Sequence, residues 1–192
     1  FTARQKVALV TLSRLVRERP GADGEAVRAA MALSLGKTLR HCNVLSKWHR
    51  GSETGAGAFG MQALPMAWDF PEMVPFVDYA GGVADAQSDV VEPAEVSALV
   101  FKTPGQLQLA DATEHPLPDE TAQVWFTDPP YYDAVPYADL SDFFFVWLKR
   151  ALPGHPFLRD PFDPENPLVP KAREAVQNER TETEDGRQKD NA

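Results

Sequence analysis

A chain of 192 residues with 43% hydrophobic side chains is long enough for one ordinary domain with a sizeable core; it is not collagenous, not disordered throughout and has no apolar run long enough to span a bilayer. Its net charge of -9 is unevenly spread: residues 1–50 carry 10 Lys and Arg against 3 Asp and Glu, a balance of +7, while residues 51–192 carry -16. The acidic total argues against a nucleic-acid partner, and the basic first quarter softens that objection. The one cysteine, Cys42, excludes an internal disulfide framework and fits a reducing cytoplasm. Phe1-Thr2-Ala3-Arg4 has neither an initiator Met nor a signal-peptide pattern, so the chain is expected to begin inside a longer protein.

Apolar residues at Ala8, Leu12, Leu15 and Val16 recur at helical spacing from Ala3 to Arg19, and Pro20-Gly21 stops them. A second helix is expected from an N-cap at Asp23 through Val27, Met31, Leu35, Leu39 and Leu45 towards Trp48, with Gly36 as its weak point. Residues 1–50 therefore read as a helical segment. Residues 51–95, rich in Gly, Pro, Ala and acidic side chains, read as an irregular connection and a candidate substrate-recognition segment. Ala98–Phe101, Gln106–Ala110 and the apolar run Val124–Thr127 read as strands, the last of them buried. Tyr137–Arg150 is the clearest helix, with Tyr137, Leu140, Phe144, Trp147 and Leu148 on one face and Pro136 ahead of its first turn. Residues 96–152 thus form part of an α/β core, and 153–192 are a Pro-rich, acidic, flexible segment.

Asp128-Pro129-Pro130-Tyr131 stands where the Val124–Thr127 strand ends, the position at which open α/β sheets place ligands. Each residue of this motif suits work on an exocyclic amine, whose lone pair is delocalised into its ring and must be turned towards the incoming group. The Asp128 carboxylate accepts one N–H bond and the Pro129 carbonyl the other. Paired prolines fix φ and so hold that carbonyl in place beforehand. Tyr131 offers a flat face on which an extruded base can stack. The same tetrapeptide can also serve as a plain strand-ending turn.

The stretch WFTDPPYYDAVPYADLSDFFFVWLKR from Trp125 to Arg150, with FGMQALPMAWDF at Phe59–Phe70 and RHCNVLSKWHR at Arg40–Arg50, resembles the DUF1156-containing family of adenine-specific DNA methylases. The resemblance covers most of residues 1–175 and is specific around 125–150. It implies an incomplete Rossmann-like class I methyltransferase core with a helical N-terminal segment, S-adenosyl-L-methionine as cofactor and DNA as partner, with adenine N6 as acceptor. Cytosine N4 and RNA are acceptors compatible with the same motif. By motif matching it assigns Asp128, Pro129, Pro130 and Tyr131 as catalytic and Asp111 as the acidic contact to the cofactor adenine. One family element is missing: no strand here runs into a glycine-rich Phe-x-Gly-x-Gly type loop. Truncation at both ends is the expected reason, and the fragment alone is expected to be inactive. The competing expectation is an inactive methyltransferase-like module that binds DNA or a protein.

Other signals carry less. Gly55-Ala56-Gly57-Ala58-Phe59-Gly60 matches a dinucleotide-loop pattern, but it follows no strand, and Ala63-Leu64-Pro65 interrupts the helix it should open; Gly81-Gly82 is weaker still. His41, Cys42 and His49 fall short of a zinc pattern, and no metal is expected. Trp48-His49-Arg50 reads either as an approach to DNA phosphate or as the cationic end of a helix.

Overall fold

The computed structural model describes residues 1–20, 24–59, 68–103, 105–108, 110, 117–128, 135–172, 174 and, by backbone alone, 178–182 and 188–189. Two compact units divide the chain: residues 1–104 with 144–155, and residues 105–143 with 156–192.

In the first unit, α1 (Ala3–Glu18) opens on a reciprocal cap, in which Gln5 N donates to Thr2 Oγ1 at 3.2 Å and Thr2 N donates to Gln5 Oε1 at 2.9 Å. Its buried stripe is Gln5, Leu9, Ser13 and Val16, whereas Leu15, expected on the core face, is exposed. The stripe is rotated because two polar residues take core positions, Gln5 through the cap and Ser13 as a small, buried side chain. Helix α2 (Gly24–His41) buries Ala32, Leu35, Thr38 and Leu39 and packs against both α1 and α3 (Val83–Val100). The N-cap expected at Asp23 lies outside the described residues.

Helix α2 ends earlier than its apolar pattern suggests, and Asn43 is the reason. Its Nδ2 donates to the carbonyls of Leu39 at 3.0 Å and Arg40 at 2.8 Å, satisfying acceptors that a further turn would otherwise have bonded. The hydroxyl of Ser46 donates to the His41 carbonyl. The chain then turns into β1 (Lys47–His49), which pairs antiparallel with β2 (Thr54–Ala56) in the register Lys47 to Ala56, Trp48 to Gly55 and His49 to Thr54.

Helix α3 replaces both the last part of the expected irregular connection and the strand expected at Ala98–Phe101. Val83, Ala86 and Val90 keep helical spacing, but Gly81-Gly82 before them and Pro93 within disguise it, the proline removing one backbone donor. Residues 91–100 of α3 are exposed, Leu99 to 86%.

Helix α4 (Tyr137–Ala151) has the extent its pattern suggests. In the first unit, Phe144 lies against Gly36 of α2 and against Phe59 with ring centroids 5.4 Å apart, and Phe1 meets Trp147 edge-on at 5.7 Å. In the second unit, Glu174 Oε1 accepts Ala138 N at 2.8 Å and caps the helix start, while Asp142 accepts Val169 N at 3.1 Å and pairs with Lys171. The carboxylate of buried Asp160 accepts the amides of Phe162 and Asp163 and the Asn166 side chain, which gives residues 160–166 of the Pro-rich segment a defined turn. Strands β3 (Asn178–Glu182) and β4 (Gln188–Lys189) form a second antiparallel pair.

Neither Gln106–Gln108 nor Val124–Thr127 pairs with another strand among the described residues. Instead of a buried strand, 124–127 is an irregular run with Val124 82% and Phe126 91% exposed. An apolar run becomes a buried strand only when neighbouring strands take up its backbone groups, and the described sheets are two-stranded pairs elsewhere in the chain.

Candidate functional site

The exposed residues Val124–Thr127 lead to Asp128 at the surface of the second unit, and Asp128 makes no hydrogen bond or ion pair with a described residue. Among the described residues its carboxylate is thus an exposed acceptor without a partner. Pro129, Pro130 and Tyr131 lie outside the described residues, as does Asp111. After them Val135 and Pro136 lead into α4, where Leu140 N donates to the Pro136 carbonyl at 3.1 Å. The order acceptor, proline pair, helix is thus present along the chain, with its two ends described.

The other chemically equipped place is the junction of α2, β2 and α3 in the first unit. Lys37 Nζ bridges Asp85, at 2.8 Å, and Asp89, and these carboxylates raise the lysine pKa against the lowering effect of its burial. Asp85 also accepts Gly81 N at 2.6 Å; the Lys37 bond and the Gly81 amide hold its carboxyl below the usual range. That amide stands at the start of α3, so the helix N-terminus already has its anion within the protein. His41 Nδ1 lies 2.9 Å from the Gly55 carbonyl, and burial lowers the imidazole pKa.

Both glycine patterns are explained by packing here. A side chain at Gly55 would meet Met73 Sδ at 2.8 Å, and one at Gly57 would meet Arg40 Nε at 2.7 Å. Gly81, with φ of +94°, lies against the His41 ring. These are close approaches of side chains to backbone rather than a cradle for phosphate.

Cys42 is wholly buried, its Sγ donating to the Met73 carbonyl at 3.3 Å, and burial with the nearby Glu72 charge pushes its thiol up to about 11. It is a packed thiol rather than a nucleophile. Burial likewise pushes Tyr79 up to about 12. His49 Nδ1 faces Ser52 Oγ at 2.8 Å, so His41, Cys42 and His49 each have separate partners. Among the described residues no group of three or more His, Cys, Asp or Glu is placed to hold a metal ion. No described helix is long and apolar enough to cross a membrane.

Sequence reasoning missed the β1–β2 hairpin. Its signal was Asn43 followed by Ser46, two side chains that compete for the helix carbonyls, ahead of the alternation Lys47-Trp48-His49. On the hairpin, all three residues of β1 are exposed. A groove of about 410 Å³ beside α1, lined by Arg4, Gln5, Glu72 and Met73, is crossed by the ion pair of Arg4 with Glu72.

Comparison with known proteins gives no family model, curated protein or solved structure that matches this chain.

Proposed function

We propose that the chain is part of an S-adenosylmethionine-dependent amino-methyltransferase acting on DNA, with adenine N6 as acceptor. What carries the reading is Asp128-Pro129-Pro130-Tyr131 a few residues ahead of a strong helix, with Asp128 exposed and bonded to no described residue. In the reaction, the carboxylate and the Pro129 carbonyl accept the two N–H groups of the amine. This turns the nitrogen lone pair towards the methyl group while Tyr131 stacks on the base. The nitrogen attacks the methyl carbon, the carbon–sulfur bond breaks, and S-adenosylhomocysteine leaves with the electron pair. The methylated amine then gives up its extra proton to solvent. Asp111 is the proposed contact to the cofactor adenine. The methionine end requires a glycine-rich loop that these 192 residues do not contain, so the chain by itself is proposed to be inactive. A cytoplasmic setting accords with the single cysteine.

The test is made on the full gene product containing this chain. Duplex DNA is incubated with methyl-labelled S-adenosylmethionine, digested to nucleosides and analysed by mass spectrometry. Label in N6-methyldeoxyadenosine supports the reading; label confined to N4-methyldeoxycytidine corrects the acceptor; unlabelled DNA leaves the binding-module alternative.

A further inference from the structure

We propose that the groove beside α1 is a binding site for a neutral small molecule with an apolar body and a carbonyl acceptor, which takes the side-chain amide of Gln5. The site goes beyond the methyltransferase reading and does not depend on it. Gln5 is 2% exposed, and its Nε2 is buried with no hydrogen-bond partner among the described residues. The amide cannot be turned over to find one. Its Oε1 accepts Thr2 N at 2.9 Å, and the reversed orientation would set Nε2 against that same N–H, donor against donor. A buried donor without an acceptor is costly and uncommon in a folded protein. This one belongs to a side chain that lines a groove of about 410 Å³, a volume within the range of small-molecule sites.

The walls are built in advance. Arg4, Gln5 and Ala8 of α1 form one, and the segment Glu72–Phe76 forms the other. That segment is pinned from two neighbours: the Met73 carbonyl accepts Cys42 Sγ at 3.3 Å, and the Pro75 carbonyl accepts Val83 N at 2.8 Å. Charge in the groove is already matched, because Glu72 accepts from Arg4, through Nε at 3.2 Å, and from the Thr2 hydroxyl. An anion would have to draw Arg4 away from Glu72, and a cation would face the N–H groups of Gln5. What is left unanswered is a donor, which calls for a neutral acceptor. Ala8, Met73 and Pro75 supply apolar walls, and the exposed side chains of Val74 and Phe76 are apolar surface that the body of such a ligand would cover. A lone water would satisfy Nε2 but leave Val74 and Phe76 uncovered, and the experiment separates the two.

The experiment follows the amide NMR signals of the isotope-labelled 192-residue chain as it is titrated with N-phenylacetamide and, separately, with N-ethylaniline, in which a methylene replaces the carbonyl. The Gln5 side-chain amide is identified as the pair of signals lost in Gln5→Glu. That variant keeps an oxygen for the Thr2 cap and removes the donor. N-Phenylacetamide should bind in the millimolar range and shift the Gln5 side-chain amide together with the backbone amides of Ala8, Met73 and Phe76. N-Ethylaniline should bind about tenfold more weakly, and N-phenylacetamide should lose about the same factor on Gln5→Glu. Ala8→Leu fills the groove without removing the donor; it should abolish binding, and it decides the matter if Gln5→Glu does not fold. The proposal is overturned if neither probe gives saturable shifts, if the two probes bind alike, or if either folded variant binds N-phenylacetamide as the parent does. It is overturned equally if the Gln5 side-chain amide stays unmoved and shows magnetisation exchange with a retained water.

Discussion

Single residues in the first unit are held by contacts that leave little room for substitution. Gly81 joins two constraints: its positive φ disfavours any side chain, and the His41 ring occupies the space where one would stand. Gly81→Ala should destabilise the unit by roughly 2–4 kcal/mol, combining backbone strain with overpacking. Its chemical-denaturation midpoint, compared with the parent, checks this, and an unchanged midpoint would show that the approach is not rigid. At this scale sequence reasoning correctly set these glycines aside as a nucleotide loop but offered no reason for their being glycines. Gly55, Gly57 and Gly81 stand out as glycine patterns, yet what each accommodates is Met73, Arg40 or His41, and such long-range neighbours leave no mark beside the glycine in the chain. Asp128 stands out in the sequence because its motif is contiguous, and the other three residues of that motif lie outside the described residues.

At the scale of elements, legibility follows the strength of the apolar period. Helix α4 could be read from Tyr137 to Arg150 because one face repeats and both ends are charged in the sense the dipole favours. Helix α3 could not, since Pro93 and an acidic surface dilute its period, and the end of α2 was hidden because Asn43 acts through its side chain. Gly36, marked as a weak point of α2, has space beside it: an added Cβ would lie 3.9 Å from Phe144, an ordinary contact, and its φ is not positive. Gly36→Ala should therefore stabilise the protein by about 0.5–1 kcal/mol through helix propensity. A lowered denaturation midpoint would mean that α2 and α4 need the closer approach.

For the whole molecule, several buried or paired groups set a common pH window. Burial lowers the His41 pKa below 6.5, so the unfolded chain binds a proton that the folded one refuses, and stability falls as pH drops below about 6.5. The depressed carboxyl of Asp85 adds a further loss as pH falls below about 3.8. On the alkaline side the thiol of Cys42, raised from 9.0 to about 11, and the phenol of Tyr79, raised from 10.0 to about 12, ionise more readily unfolded, so stability falls again above about pH 9. Urea midpoints should show a plateau between roughly pH 6.5 and 9, and a maximum near pH 5 would contradict the buried, neutral His41.

The proposed chemistry rests on one exposed carboxylate, that of Asp128. Because Asp128 bonds to no described residue, its removal should cost the acceptor complex and not the fold. The most direct measurement is the single-turnover rate of methyl transfer to duplex DNA by the full gene product carrying Asp128→Ala, with its thermal midpoint recorded alongside. Loss of at least about 100-fold in rate, with the midpoint within about 1 °C of the parent, is the predicted result. Transfer at the parent rate would contradict the assignment of Asp128 as the residue that orients the amine.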